Sequence, residues 1–161
     1  MRSSNIIIIG VGLHAKRIYL PILFKHKKNR SFNLKFGVDL LSKRKDIEEY
    51  LKLNNFELNM IYLKDYDNTD GLSQKNIEIL SALVKENGIE GVIISTEPLA
   101  HKSYALWAIS QGLNILMDKP ISTRVNVSHD INEAKGIYKD YEEILDACKY
   151  PAPRERRALN S

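Results

Sequence analysis

The sequence predicts an α/β fold in which a doubly wound parallel sheet is covered by helices on both faces, giving three αβα layers. The first observation is that short β-branched apolar runs alternate with longer amphipathic segments along the chain. The second is that the runs at 6–9 (IIII) and 91–96 (GVIIST) carry no charge, as expected of strands buried on both faces. A length of 161 residues fits one domain, which we place at 1–150.

A glycine pattern follows the first predicted strand directly, and it reads Gly10-x-Gly12-x-x-Ala15. The first glycine suits a tight turn, the second lets the backbone approach a pyrophosphate, and the small third residue lets a helix pack on the strand. This is the fingerprint of the Rossmann-type dinucleotide-binding fold. The turn through Leu13 and His14 would then offer free amides to a diphosphate. A tight turn of small residues that serves packing alone remains the alternative, and glycine pairs after a strand also occur in methyltransferases.

The other elements follow in order, with boundaries set by caps and breakers. Predicted strands lie at 33–39, 60–63, 91–96 and 113–117. Predicted helices lie at 15–27, interrupted by Pro21, at 42–53 after a capping Ser42, at 73–87 between Ser73 and Gly88, and from Pro98 to 111. Strands separated by helices of this length imply βαβ units and a parallel sheet.

The pattern is less definite after Pro120. The stretch 121–131 is polar and ambiguous, whereas 132–150 has the pattern of a charged amphipathic helix. Its predicted apolar stripe consists of Ile137, Tyr141, Ile144, Leu145 and Cys148. The last stretch, 151–161, has prolines and arginines without apolar periodicity, so we expect a disordered tail.

Composition narrows the classes of function. The net charge of +4 comes from basic residues spread along the whole chain, so nothing supports a nucleic-acid partner. Cys148 is the only cysteine, which excludes an internal disulfide, and no Cys/His cluster has the spacing of a metal site. The sequence shows no secretory cleavage site and no apolar run of membrane-spanning length, and we expect a cytoplasmic protein without a membrane partner.

Asp39 ends the second predicted strand, where a carboxylate can accept hydrogen bonds from the adenosine ribose hydroxyls of a dinucleotide. An exposed turn aspartate is nearly as good an interpretation of this residue alone. A 2′-phosphate would be attracted by Ser42, Lys43 and Arg44 but repelled by Asp39. We therefore predict NAD as the cofactor and keep NADP open.

Two further groups follow the fourth and fifth strands, whose carboxyl ends border the cofactor in such a fold. They are Thr96, Pro98 and His101, and the tripeptide Asp118-Lys119-Pro120. A lysine at this position can hydrogen-bond a substrate hydroxyl and stabilise negative charge that develops on its oxygen during hydride transfer. In isolation, Lys119 would be interpreted as a solvated surface lysine and His101 as a helix-face histidine.

Taken in order, the glycine turn, the step Thr96-x-x-x-x-His101 and Asp118-Lys119-Pro120 resemble the nucleotide-binding half of the Gfo/Idh/MocA oxidoreductases. In that family the second motif usually reads Thr-Pro-Asn-x-x-His and the third Glu-Lys-Pro. The resemblance implies NAD(P)-dependent oxidation or reduction at a carbinol carbon, commonly of a sugar, cyclitol or related compound. It also implies that Lys119 lies near the substrate and the nicotinamide ribose, and that Asp39 binds the other ribose.

Departures from the family pattern shape the remaining expectations. Asp118 replaces glutamate, and Glu97-Pro98 stands where Pro-Asn is usual, so the backbone around the cofactor there should differ. The last stretch of this sequence, 151–161, resembles nothing in the family's second domain, which binds a sugar- or polyol-like substrate. We therefore expect a truncated chain that binds cofactor and is not active alone, with self-association through the face left uncovered. The alternative is a stand-alone dinucleotide-binding sensor or interaction module, and a methyltransferase is a distant third.

Overall fold

A computed structural model describes residues 3–26, 31–65 and 72–149, and its centre is a parallel sheet of five strands. The strands are β1 (Ser4–Ile9), β2 (Phe32–Leu40), β3 (Asn59–Leu63), β4 (Gly91–Ile94) and β5 (Asn114–Met117). Their order in the sheet is β3-β2-β1-β4-β5. The chain thus winds outward from β1 in both directions, which confirms the predicted doubly wound arrangement.

Helices connect these strands as the sequence predicts. They are α1 (Leu20–Lys25), α2 (Arg44–Leu53), α3 (Gln74–Asn87), α4 (Pro98–Ser110) and α5 (Ile131–Lys149). Ser73 caps α3 as predicted, because its hydroxyl accepts the backbone N–H of Asn76 at 3.2 Å. Gly88 ends that helix in the left-handed conformation, also as predicted. Among the described residues, no helix combines the length and the apolar character needed to cross a bilayer.

The isoleucine run of β1 supplies both halves of the core, because successive side chains of a strand point to opposite faces. Ile7 and Ile9 pack into a cluster with residues of α3 and α4, such as Leu80 and Trp107. Ile8 packs on the other face of the sheet, in the cluster that contains residues of α1 and α2. A run that lacks polar alternation is therefore explained by burial on both faces.

The first helix shows how Pro21 is accommodated. A π-helical turn, Ala15–Tyr19, comes directly before α1, and the N–H of Leu20 bonds to the carbonyl of Ala15. Pro21 has no N–H to donate, and the wider π-helical turn before it accommodates the missing hydrogen bond. The helix therefore continues to Lys25. The predicted interruption thus takes the form of an irregular turn before the proline.

The predicted cap of the second helix is wrong. A 3₁₀ turn, Leu41–Lys43, precedes α2, and no side chain caps the helix start. The backbone N–H of Ser42 instead donates to Asp65 Oδ1 at 3.2 Å, which ties the end of β2 to the end of β3.

The predicted apolar stripe of α5 is also wrong in part. Tyr141 and Leu145 are 45% and 41% exposed, and Cys148 is exposed as well. The fully buried positions of α5 are Gly136 and Asp140, which face an arginine from the preceding segment. A buried ion pair thus replaces the expected apolar contact, and hydrophobic periodicity cannot reveal such a pair. The predicted tail at 151–161 lies outside the described residues.

Candidate functional site

A cleft of about 580 Å³ opens at the carboxyl ends of β1, β2, β4 and β5, and its volume is within the usual range for small-molecule sites. It lies where the strand order reverses at β1, the position at which open α/β sheets bind their ligands. Its lining comes mainly from the turn after β1, the end of β2 and the start of α4. Four strand ends and one helix start thus converge on one concave surface.

The two glycines of the turn have different surroundings. Gly10 has φ +87°, and a Cβ placed there would lie 2.4 Å from the carbonyl oxygen of Ser95. Gly10 therefore permits the close approach of the β1 turn to the end of β4. A Cβ on Gly12 would meet no atom within 4 Å, so this position faces open space in the cleft.

A helical segment begins at this turn and continues through the π-helical turn into α1. Its first hydrogen bond runs from the N–H of Lys16 to the carbonyl of Gly12, at 2.9 Å. The amides that precede Lys16 in the turn have no acceptor within the helix, and the partial positive charge of the helix end adds to theirs. Open space at Gly12 beside such amides suits the diphosphate of a dinucleotide.

Asp39 links the end of β2 to the glycine turn. Its Oδ2 accepts the N–H of Val11 at 2.6 Å, and its Oδ1 accepts the N–H of Leu40 at 2.7 Å. Burial raises the pKa of this carboxyl, while the two N–H donors and the charges of Lys43 and Lys16 act in the opposite direction. One lone pair on each oxygen stays available in the cleft for a ribose hydroxyl.

Asp118 occupies the opposite end of the cleft, just after β5. It accepts the hydroxyl of Tyr19 at 2.5 Å on Oδ1 and the hydroxyl of Ser95 at 2.6 Å on Oδ2. His14 Nε2 lies 3.6 Å from Oδ1. Burial and the bond to Asp118 raise the pKa of Tyr19 to about 12, so this phenol remains a donor. Asp118 thereby joins β5 to β4 and to the helix after the glycine turn.

Tyr19 and Ser95 were missed as partners of Asp118 by the sequence analysis. Each follows an ordinary helix or strand pattern, and its role depends on contacts between distant parts of the chain. The cleft also contains Asp46 and Tyr104, which no motif singled out, and Glu97, which was noted only as a departure from the family pattern. Nothing in the local spacing of these residues could have identified them.

His101 lies behind the wall of the cleft. It is 0% exposed, with Nδ1 2.7 Å from the carbonyl oxygen of Pro120 and Nε2 3.0 Å from that of Thr96. The ring therefore bridges the segments that follow β4 and β5, and it does not line the cleft. Its position is that of a support for the cleft wall.

Most of the residues predicted for cofactor binding are brought together. The cleft is lined by eight of the ten: Gly10, Gly12, Leu13, His14, Asp39, Thr96, Pro98 and Asp118. Lys119 is exposed and lies beside the lining residue Asp118. In the described part of the chain, no group of three or more His, Cys, Asp or Glu side chains could hold a metal ion.

Comparison with known proteins agrees with this geometry. Residues 4–146 match the model of a family described as "Oxidoreductase family, NAD-binding Rossmann fold". The chain belongs to the Gfo/Idh/MocA oxidoreductase family. The matched part is its NAD-binding domain, which makes a nicotinamide dinucleotide the cofactor class of this domain.

Individual relatives are distant. An uncharacterized oxidoreductase of Streptococcus pneumoniae serotype 4 (strain ATCC BAA-334 / TIGR4) is 27% identical over 109 residues, which is 65% of this chain and 26% of that protein. The crystal structure of a Gfo/Idh/MocA family oxidoreductase from Vibrio cholerae superposes with a TM-score of 0.53 at 18% identity. It covers 88% of this chain and 36% of its own, so the likeness shows the fold alone. The chain spans about a quarter to a third of the length of these two relatives.

Proposed function

We propose that this domain binds NAD(H) in the cleft and forms the cofactor half of an oxidoreductase. The reaction would transfer hydride between nicotinamide and a hydroxyl or carbonyl carbon of a sugar, a cyclitol or a related compound. The observation that carries the proposal is the pairing of Gly12, open to the cleft beside free helix amides, with Asp39 across from it. These are the contacts that a diphosphate and a ribose require.

The orientation of the cofactor follows from the two ends of the cleft. Asp39 would accept hydrogen bonds from the adenosine ribose, which directs the other ribose toward Thr96 and Asp118. Bound NAD would supply the hydride donor or acceptor at that end. Lys119, next to Asp118, would donate a hydrogen bond to the substrate oxygen and stabilise the negative charge that develops on it.

We further propose NAD in preference to NADP. The Asp39 carboxylate is fixed by two backbone amides, so it cannot turn away from a 2′-phosphate. Lys43 lines the same end of the cleft, but Asp46 also lies there and opposes its charge. Repulsion between the Asp39 carboxylate and a 2′-phosphate on the ribose that it binds would disfavour NADP more than one exposed lysine favours it.

Titration with NADH and NADPH, followed by the fluorescence of the reduced nicotinamide, tests the proposal. We expect saturable binding of NADH and weaker binding of NADPH. Absence of binding at millimolar concentrations of both would contradict the assignment of the cleft. Tighter binding of NADPH would contradict the role given to Asp39.

A sensor or interaction module without catalysis is the second candidate, and the surface of α5 favours it. Ile131 and Tyr138 are 67% and 65% exposed on this helix, which leaves apolar area for a partner or a second copy of the chain. A screen of polyols and sugars with NAD distinguishes the two functions. Turnover would support the oxidoreductase. If the chain is fused to a substrate domain and then binds NADH without turnover, the sensor is supported.

A further inference from the structure

The side chain of Asp140 is the centre of a charged cluster on α5, and it is only 4% exposed. Its Oδ1 accepts Lys102 Nζ at 2.7 Å and Arg124 Nη2 at 2.7 Å. Its Oδ2 accepts Arg124 Nε at 2.8 Å and the hydroxyl of Ser122 at 3.0 Å. We call these four residues the Asp140 clamp. Together they join α4, the segment after β5 and α5.

The helix is shaped to receive the arginine. Gly136 lies one turn before Asp140, and a Cβ there would be 2.3 Å from Arg124 Nη1. The guanidinium therefore lies directly on the helix backbone, in the space that a side chain would fill. The hydrogen bonds from Arg124, and then those from Lys102 and Ser122, hold the pKa of Asp140 well below its usual range despite its burial. The clamp is thus fully charged at neutral pH.

The clamp fixes the segment that follows Lys119, because two of its members, Ser122 and Arg124, belong to that segment. Ser122 and Arg124 follow Lys119 closely in the chain, and Lys102 is the neighbour of His101 on α4. His101 in turn contacts the carbonyl oxygen of Pro120 at 2.7 Å. The backbone on the far side of Lys119 is therefore held by α4 and α5 together.

The near side of Lys119 is held as well. Asp118 receives the hydroxyls of Tyr19 and Ser95, and its backbone N–H donates to the carbonyl of Ile94 at 3.0 Å. Lys119 is exposed between these two anchored stretches. Such a lysine keeps a long flexible side chain on a backbone whose position is already fixed.

We propose that Asp140 is a positioning residue, which acts through Ser122 and Arg124 to hold Lys119 at the nicotinamide end of the cleft. This inference rests on the proposed function, because Lys119 needs a bound nicotinamide to contact. Fixing the backbone before the cofactor arrives removes conformational freedom that binding would otherwise have to remove. Loss of the clamp should therefore weaken contacts at the nicotinamide end and leave those at the adenosine end unchanged.

Calorimetric titration with NADH and with ADP, which lacks both the nicotinamide and its ribose, separates these two ends. The wild-type chain should bind both, and NADH more tightly. Asp140→Asn should raise the Kd for NADH about tenfold and change the Kd for ADP less than about twofold. Asp146→Asn is the matched control, because Asp146 is an exposed aspartate of α5 whose partner is Lys149.

Further variants keep the test informative if Asp140→Asn does not fold. Ser122→Ala removes one hydrogen bond of the clamp without leaving a charge unpaired, so it should show the same selective loss at smaller size. Lys119→Ala should also weaken NADH binding alone. Adding Ser122→Ala to Lys119→Ala should then produce almost no further loss, because one variant acts through the other.

The outcomes separate the two proposals. If the wild-type chain binds neither ligand, the proposed function fails. If it binds both but a clamp variant weakens them equally, or weakens neither, the positioning role is overturned and the proposed function stands. Equal affinity of the wild-type chain for NADH and ADP would also overturn the positioning role, since Lys119 would then have no contact with the nicotinamide half to secure.

Discussion

The glycine turn and the Asp140 clamp both depend on a glycine that leaves room for another group, but the group differs. At Gly10 the neighbour is the backbone of Ser95, 2.4 Å from where a Cβ would lie. At Gly136 it is the guanidinium of Arg124, at 2.3 Å. Backbone at the end of β4, where the N–H of Ser95 bonds to the carbonyl of Ile9, cannot move without breaking that pairing, whereas the end of an arginine side chain can rotate away. Similar close distances therefore imply different costs of substitution.

The difference also concerns where each site is encoded. The glycine turn is a local feature, and its residues follow one another in the chain. The clamp depends on side chains of α4, α5 and the segment between them, which only the fold brings together. The first region can therefore be recognised in the sequence, whereas the second can be recognised only in the folded structure.

The largest expected effect is that of Gly10→Ala. Left-handed backbone and overlap with a carbonyl should together lower the free energy of unfolding by about 4 kcal/mol. Denaturant unfolding followed by circular dichroism measures this loss. Gly12→Ala is the matched comparison, because a Cβ there meets no protein atom within 4 Å.

Gly12→Ala should leave stability within about 1 kcal/mol of wild type, yet abolish NADH binding by filling the space meant for the diphosphate. Equal destabilisation by the two substitutions would contradict the distinction between them. Normal NADH binding by Gly12→Ala would show that no diphosphate lies at this turn.

Asp140→Asn should have the next largest effect, lowering the free energy of unfolding by about 3 kcal/mol at neutral pH. Removing one partner of a buried ion pair costs about 3 to 5 kcal/mol, and the lower end applies because Lys102 and Arg124 are partly exposed and keep other acidic neighbours. Thermal unfolding of Asp140→Asn beside Asp146→Asn measures the difference. Similar melting temperatures for the two variants would contradict the importance of the clamp.

The same residue predicts a dependence of stability on pH. The pKa of Asp140 is lowered in the folded chain, so its contribution is complete above the unfolded pKa of about 4 and is lost as pH falls below that value. Wild type should therefore lose stability on acidification more steeply than Asp140→Asn between about pH 4 and pH 2. Parallel curves for the two proteins would show that the carboxylate is not stabilised by folding.

The sequence was sufficient for the sheet because its strands are apolar on both faces, and short uncharged β-branched runs are typical of buried parallel strands. Cap chemistry was less reliable. The hydroxyl of Ser73 caps α3, but that of Ser42 does not cap α2, and the difference depends on whether a 3₁₀ turn intervenes. Such turns differ by small local energies that the residue types alone do not determine.

Prediction of the site divided in the same way. Gly10, Gly12 and Asp39 could be placed in the cleft from their positions at strand ends, where βαβ topology fixes the geometry. His101 was expected at the cofactor and lies behind the cleft wall, since spacing along a helix does not reveal depth. Asp140 was missed because a buried ion pair interrupts the apolar pattern from which buried helix faces are inferred.

Asp39→Ala should have an intermediate effect, on binding. Loss of hydrogen bonds between a carboxylate and ribose hydroxyls should weaken NADH binding by about 2 kcal/mol, which is roughly thirtyfold in Kd. The preference for NADH over NADPH should fall as well, because the repulsion of the 2′-phosphate is relieved. Fluorescence titration with both cofactors measures the two changes.

Asp46→Ala serves as the control for this variant, since Asp46 lines the same end of the cleft but is exposed and paired with Lys16. Its effect on NADH binding should be within about 1 kcal/mol, as for other exposed ion pairs. If Asp46→Ala and Asp39→Ala weaken binding equally, the effect belongs to the charge of the cleft as a whole and not to a ribose contact.

The smallest expected effect, that of Gly136→Ala, tests most directly whether the two regions differ. Alanine favours a helix interior over glycine by about 1 kcal/mol, but in the wild-type chain its Cβ must displace Arg124 from the clamp. These contributions should nearly cancel. In the Asp140→Asn background Arg124 keeps only its longer contact with Glu133 and can move aside, so the same substitution should raise the free energy of unfolding by about 1 kcal/mol. A difference between the two backgrounds would show that Gly136 is needed only while Asp140 holds Arg124 against the helix. Equal effects in both backgrounds would mean that the guanidinium does not occupy the space over Gly136. Gly10→Ala should be rescued in neither background, because the atoms that its Cβ would meet belong to the backbone.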